Sequence, residues 1–177
     1  GRGAVEAGLP HPRTFSPMPD RIVIRRERPD QPEVAALLSA LDAYLMSLYP
    51  PEANHILDLQ ALLGEDVAFF VARDGDRAVG TAAYRRMPGA PDTGGQPFGE
   101  VKRMYVDPAQ RGRRLGVRLL GALEDGLRAD GCRLALLETG RHQHEAVALY
   151  EGCGYTPRAA FGGYPDNGLS VFYGKAL

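Results

Sequence analysis

Arg111-Gly112-Arg113-Arg114-Leu115-Gly116 crowds three arginines and two glycines into the residues that lead into a helical pattern. The start of a helix carries unpaired N–H groups and a partial positive charge, and the two together attract anions. Arginines placed there oppose the helix dipole by about 0.3–1 kcal/mol each, so an anion among them is the expected partner. Gly112 and Gly116 leave the backbone open to close approach, and guanidinium groups suit phosphate oxygens. The chemistry implied is a pyrophosphate cradle rather than a merely solvated basic turn. A nucleotide-hydrolase loop needs Gly-Lys-Ser/Thr after its glycines, whereas Gly116 is followed by Val117-Arg118. The three-glycine dinucleotide fingerprint is missing as well.

Other residue types invite weaker readings. His142 and His144 could supply two metal ligands, but no cysteine or carboxylate set completes a zinc site, so no metal is expected. Cys132 and Cys153 match neither a disulfide framework nor a metal spacing. Their apolar and glycine-rich settings suggest inert, buried thiols in a reduced, cytoplasmic setting.

These residues need elements to place them. Ile22-Val23-Ile24 reads as a first strand. Asp30 and Glu33 resemble a capping box before a helix whose apolar positions run Val34, Leu37, Leu38, Leu41, Leu45 and Leu48. A second helix is expected from Asn54 to Leu63, closed by Gly64. Val67 to Arg73 and Arg77 to Arg85 form a hairpin around Asp74-Gly75-Asp76. After a loop, Glu100 to Val106 is a strand stopped by Asp107-Pro108. On that strand, period-two alternation places Glu100, Lys102 and Met104 on one face. Leu115, Leu119, Leu123 and Leu127 then give one helix an apolar stripe, with Gly131 as its cap. Leu134 to Leu137 is a strand, Glu145 to Tyr150 a short helix, and Tyr155 onward and Leu169 to Lys175 are two last strands. The strand–helix–strand from Glu100 to Leu137 requires a right-handed parallel crossover. A mixed α/β sheet with helices on both faces follows.

Two blocks carry a family resemblance. EVKRMYVDPAQRGRRLG resembles the acyl-CoA motif of the GNAT superfamily of N-acetyltransferases, Arg/Gln-x-x-Gly-x-Gly/Ala after the fourth strand. Arg111 and Gly116 match its ends, while Arg114 stands where the first glycine usually does. EAVALYEGCGY is similar to the family's Asn-x-x-Ala-x-x-Leu-Tyr-x-x-x-Gly-Phe/Tyr block. The likeness, of the bacterial small-molecule type, runs in element order from about Ile22 to Leu177.

The resemblance implies a single-domain α/β fold over residues 21–177, with a mixed, mostly antiparallel sheet of six to seven strands flanked by helices. It implies direct transfer of the acetyl group of acetyl-CoA to the amine of a small molecule. The N–H groups of Arg113, Arg114, Leu115 and Gly116, with Arg111 and Gly112 beside them, would hold the pyrophosphate. Met104, Tyr105 and Val106 would lie along the pantetheine arm, with the Met104 N–H directed at the thioester oxygen. Gln143, where the family often has Asn, would steady that arm. Glu100 sits where many members carry a base, acting directly or through water, and the bland reading is a pair with Lys102 or Arg103. Tyr150 matches the tyrosine that protonates the leaving thiolate. Asn54, His55, Arg103 and Tyr164 are candidate acceptor contacts on loops and strand. The same cradle would also serve a non-catalytic acyl-CoA-binding regulatory domain. Homodimers are common in the family, so a homodimer is the expected assembly.

The whole chain is consistent with that reading. It has 177 residues, enough for one core, and a formal net charge of -1. That charge recruits neither nucleic acid nor anionic membrane. No apolar run approaches the ~18 residues of a membrane span. Residues 1–20 lack the apolar stretch of a signal peptide and read as a poorly ordered tail, and the Gly start suggests either a cloning remnant or a processed end.

Overall fold

The computed structural model describes residues 20–177. The tail expected over residues 1–20 therefore lies outside them except for Asp20. That residue is held: its carboxylate accepts from Ile22 N–H at 3.0 Å and pairs with Arg118 at 2.6 Å.

The elements run β1 (Ile22–Arg26), α1 (Pro32–Leu48), α2 (Leu59–Leu62), β2 (Val67–Asp74), β3 (Arg77–Met87), β4 (Phe98–Val106), α3 (Leu115–Ala129), β5 (Leu134–Gly140), α4 (His144–Gly152), β6 (Thr156–Arg158) and β7 (Ser170–Ala176). All seven strands join one sheet in the order β1-β2-β3-β4-β5-β7-β6. Every pairing is antiparallel except β4 with β5, the expected crossover pair.

That parallel pair is short. Gly99 meets Ala135 and Glu100 meets Leu136, and the register ends there. Beyond it β4 continues with β3 alone and β5 with β7 alone, so the two strands diverge into a wedge.

Helices cover both faces. The leucine stripe of α3 is buried: Leu115 is 2% exposed, and Leu119, Leu123 and Leu127 are 0% exposed. Each such side chain contributes about 1.5–3 kcal/mol by leaving water. Gly99 is where this helix sits down, since a Cβ there would lie 2.2 Å from Leu127 Cδ2. On the other face Val34, Leu37 and Leu38 of α1 pack with Phe69, Val71 and Ala83. Beside them Phe98, Leu136, Phe161 and Phe172 form a third cluster beneath the β6–β7 loop.

Three local expectations fail. The second helix is one turn, because Asp58 accepts from Ala61 N–H at 2.9 Å and starts it late. Pro51–Ala53 forms a separate 3₁₀ turn, leaving Asn54–Leu57 irregular. The capping box before α1 is absent, because Asp30 is engaged by Arg28 and Glu33 by Arg73, and Gln31 takes the cap position. Cys132 and Cys153 are half-buried rather than core residues.

Candidate active site

The mouth of α3 is built from two left-handed residues. Gly112 has φ 83° and Arg114 has φ 57°. Glycine adopts that conformation freely, whereas a side chain there costs about 1–2 kcal/mol. Arg114 is therefore the cap residue of α3 and not part of its first turn, so the position usually held by glycine keeps the glycine-like backbone. The first helical bond runs from Arg118 N–H to Arg114 O at 3.1 Å. Among the described residues, the N–H groups of residues 112–117 find no acceptor. The last four of these, from Arg114 to Val117, are the orphan donors that make a helix start an anion site.

The arginines divide. Arg113 is bound to Asp74 at 2.9 Å and Gln110 at 2.7 Å, and braces the turn from behind. Arg111 pairs with Glu145 at 3.2 Å, both side chains largely exposed, a contact of little energetic weight. Arg114 is exposed and, among the described residues, forms no ion pair. Gly116 faces Leu149 of α4, whose Cδ2 would lie 3.0 Å from a Cβ, so this glycine lets the two helices approach.

The mouth borders α4 through Gly116 beside Leu149 and Arg111 beside Glu145, and α4 in turn lines the cleft at the β4–β5 wedge with Ala146 and Tyr150. The register of β3 with β4 slips between Thr81–Tyr105 and Ala83–Lys102. Arg103 and Met104 thus stand opposite the single residue Ala82, as a β-bulge in which Arg103 has φ 56°. Thr81 Oγ1 donates to Arg103 O at 2.9 Å and pins it. The bulge breaks the expected alternation. Glu100 and Lys102 stay together at 3.1 Å, but Met104 packs with the α3 and α4 cluster. Tyr105 turns its ring to the α1 cluster, leaving only its backbone for the wedge. Val106, at the strand's end, packs with Met104 on the α3 side.

Around the wedge, Tyr150 of α4 is 5% exposed, and its phenol is pushed well above its usual value by burial and by Glu138 nearby. Gln143 caps α4, and its Oε1 accepts from Gly140 N–H at 2.8 Å, which leaves its amide N–H₂ free to donate. Tyr49 closes one wall: its hydroxyl accepts from His142 N–H at 2.9 Å. Gly140 is obligatory there, since a Cβ would fall 1.9 Å from that hydroxyl.

The acceptor side is a network of side chains. Tyr164 Oη lies 3.1 Å from each oxygen of Glu100, whose Oε1 also meets Lys102 Nζ at 3.1 Å. Lys102 donates in turn to Tyr164 Oη. His55 presents its ring edge-on to Tyr164, 5.0 Å between centroids. Burial, then the charges of Glu100 and Glu138, hold the Tyr164 phenol well above its usual range. Arg103 is turned away into α1, where both its Nη atoms face Asp42 and its side chain is 7% exposed. It therefore is not free as a whole guanidinium to grip a ligand.

One residue of this wall escaped the sequence reading. Glu138 of β5 lines the same cleft as Asn54, His55, Lys102 and Tyr150. Ser170 Oγ donates to it at 2.8 Å, and among the described residues it has no ion-pair partner. Burial raises its carboxyl above the ordinary range, opposed in part by the Ser170 hydrogen bond, His55 and Lys102 and reinforced by Glu100. A signal was present: Glu138 is the one charged residue in LALLETG, two positions beyond Leu136, the register partner of Glu100.

Comparison with known proteins gives a consistent picture. A sequence profile of the acetyltransferase (GNAT) family matches residues 34–155. The IAA acetyltransferase of Azospirillum brasilense is 46% identical over 156 residues, spanning 88% of this chain and 98% of that protein. Mycothiol acetyltransferase of Beutenbergia cavernae is 31% identical over 93% of this chain, which spans 54% of that longer protein. Among solved structures, a Klebsiella pneumoniae protein provisionally described as an acyl-CoA N-acyltransferase superimposes with a TM-score of 0.70 at 38% identity, covering 88% of this chain and 97% of that one.

Proposed function

The chain belongs to the GNAT acetyltransferase family, and from that membership we propose that it transfers the acetyl group of acetyl-CoA directly to the amine of a small molecule. The observation that carries the donor half is the set of unpartnered N–H groups at residues 112–117, next to α4 and the wedge in which β4 no longer pairs with β5. The groups present fit this donor. The N–H groups of Gly112 through Val117, with Arg114 and Arg111 above them, would hold the pyrophosphate. The free edge of β4 from Met104 to Val106 would pair with the pantetheine arm as an added strand. The Met104 N–H would meet the thioester oxygen, where negative charge grows in the transition state. The Gln143 amide would steady the arm.

The acceptor arrives as an ammonium and must lose a proton before it can attack. Two carboxylates stand at the acceptor side, Glu138 in the lining of the cleft and Glu100 buried against Lys102 and Tyr164, and their surroundings divide the work. Both oxygens of Glu100 are engaged by Tyr164 and one also by Lys102. We assign it the task of positioning those two side chains. Among the described residues Glu138 has one hydrogen bond, and its affinity for protons is raised, which suits a general base. The amine gives one proton to Glu138 and attacks the thioester carbon. The new C–N bond forms, the C–S bond breaks, and Tyr150 protonates the departing sulfur. The second amine proton, lost as the amide forms, restores Tyr150.

Thiol release from acetyl-CoA, followed against a panel of small amines alongside calorimetric titration of acetyl-CoA, tests this reading. Turnover abolished in Tyr150→Phe and Glu138→Gln with donor binding intact supports it. Tight donor binding without thiol release from any amine would assign the chain to a non-catalytic acyl-CoA-binding role instead.

A further inference from the structure

The cleft wall has a charge pattern with two gaps in it. Its cations are matched within the protein: Lys102 by Glu100 and Arg103 by Asp42. Glu138 is the carboxylate left over, with Ser170 as its hydrogen-bond donor and no cation among the described residues. The cleft thus lacks one positive charge, which the ammonium of an acceptor supplies.

The second gap is one of hydrogen-bond acceptors. Four buried side-chain polar atoms among the described residues have no partner, and three of them belong to residues lining this cleft: Asn54 Nδ2, His55 Nε2 and Arg103 Nε. Each is a donor or can be one. A buried donor without an acceptor costs about 1–3 kcal/mol, so three together in one cavity wall point to an oxygen-rich group that belongs there. They come from separate places, the irregular Asn54–Leu57 segment and the β4 bulge, so no local turn explains all three. The strained φ of Arg103 helps present its Nε, because the bulge points the side chain toward α1 while Asp42 takes only the far end of the fork.

Resting on the acetyl-transfer reading, we propose that the acceptor is a small amino acid, carrying its reactive amine and a carboxylate on one short skeleton. The amine sits against Glu138, and the carboxylate takes the donors of Asn54, His55 and Arg103. The groups facing Glu138 are His55 from the segment after the first helix, Lys102 and Glu100 from β4, Tyr150 from α4, Tyr49 just after α1 and Tyr164 from the β6–β7 loop. Among them only Lys102 carries a fixed positive charge, and Glu100 already holds it. A substrate bearing an amine alone would leave the three donors unpaired. Discrimination against a substrate that leaves buried polar groups unpaired can reach 10⁴-fold or more.

The test measures thiol release by the full chain with matched pairs: an amino acid against the amine left by removing its carboxylate, and against its carboxamide. The expected result is kcat/KM higher for the amino acid by about 10²-fold or more. In Asn54→Ala and His55→Ala that ratio shrinks, because KM for the amino acid rises by a larger factor than KM for its decarboxylated counterpart. Equal or faster turnover of the decarboxylated amines overturns the proposal and leaves acetyl transfer standing. Donor binding without turnover of any pair member also overturns it. If acetyl-CoA is neither bound nor cleaved, the acetyltransferase reading itself falls first.

Discussion

The mouth of α3 and the wall around Glu138, the two halves of the proposed site, are built from opposite materials. The mouth uses backbone. Its donors are N–H groups fixed by the helix, and its one special requirement is two residues with positive φ, at Gly112 and Arg114. The wall uses side chains from β4, β5, β7, the segment after α1 and the β6–β7 loop. A backbone site tolerates substitution, because every residue carries an N–H. A side-chain site does not, because a substitution removes the interacting group itself.

Substitutions can break this contrast, and the largest effect belongs to the wall. Glu138→Gln lowers kcat by about 10²–10⁴-fold and leaves the affinity for acetyl-CoA unchanged by calorimetry. The same variant sets the pH dependence. The Glu138 pKa is raised in the fold, so activity of the parent enzyme rises with pH through a value above the usual carboxylate range. That limb disappears in Glu138→Gln. Stability runs the other way: a group with a raised folded pKa stabilises below its unfolded value and loses that contribution as pH rises through the folded one. Glu138→Gln is therefore expected to melt at a higher temperature than the parent at neutral pH. Glu100→Gln, by contrast, keeps the pH limb and mainly raises KM, if its part is to position Lys102 and Tyr164.

Tyr150→Phe comes next, with kcat reduced about 10²-fold and recovered in part with an acyl donor whose thiol is more acidic. Gly140→Ala tests the join of the two regions. Its methyl group must displace Tyr49, and the strain costs about 1–3 kcal/mol, read as a drop of several degrees in Tm. The smallest effect falls at the mouth. Arg114→Gly relieves the left-handed strain and raises stability by up to about 1 kcal/mol, while weakening acetyl-CoA several-fold through the lost guanidinium.

The same contrast governs what could be read from the amino-acid order. The mouth was legible because its signals are local: glycine and arginine beside a leucine stripe, with Asp107-Pro108 ending the strand before it. The hairpin and the parallel crossover were legible for the same reason. The alternation of Glu100, Lys102 and Met104 failed because the bulge depends on Thr81, a residue more than twenty positions away, gripping Arg103 O. The second helix failed because Asp58 competes with Asn54 to start it, and the proline turn before it uses up the chain. Glu138 was overlooked because a single carboxylate in a buried strand gains meaning only from the charge of Glu100 on the next strand and from Ser170 on β7. Arg103 looked like a free cation until α1 brought Asp42 to it.

The seam between β4 and β5 is stitched over two residue pairs and then left open. On the proposed reading, the pantetheine arm lies along the open part and takes over the missing stitches. Loading the donor is thus also an act of finishing the protein, and amide exchange along residues 101–106 and 137–140 should slow as coenzyme is added, so that the architecture itself reports whether the cargo is aboard.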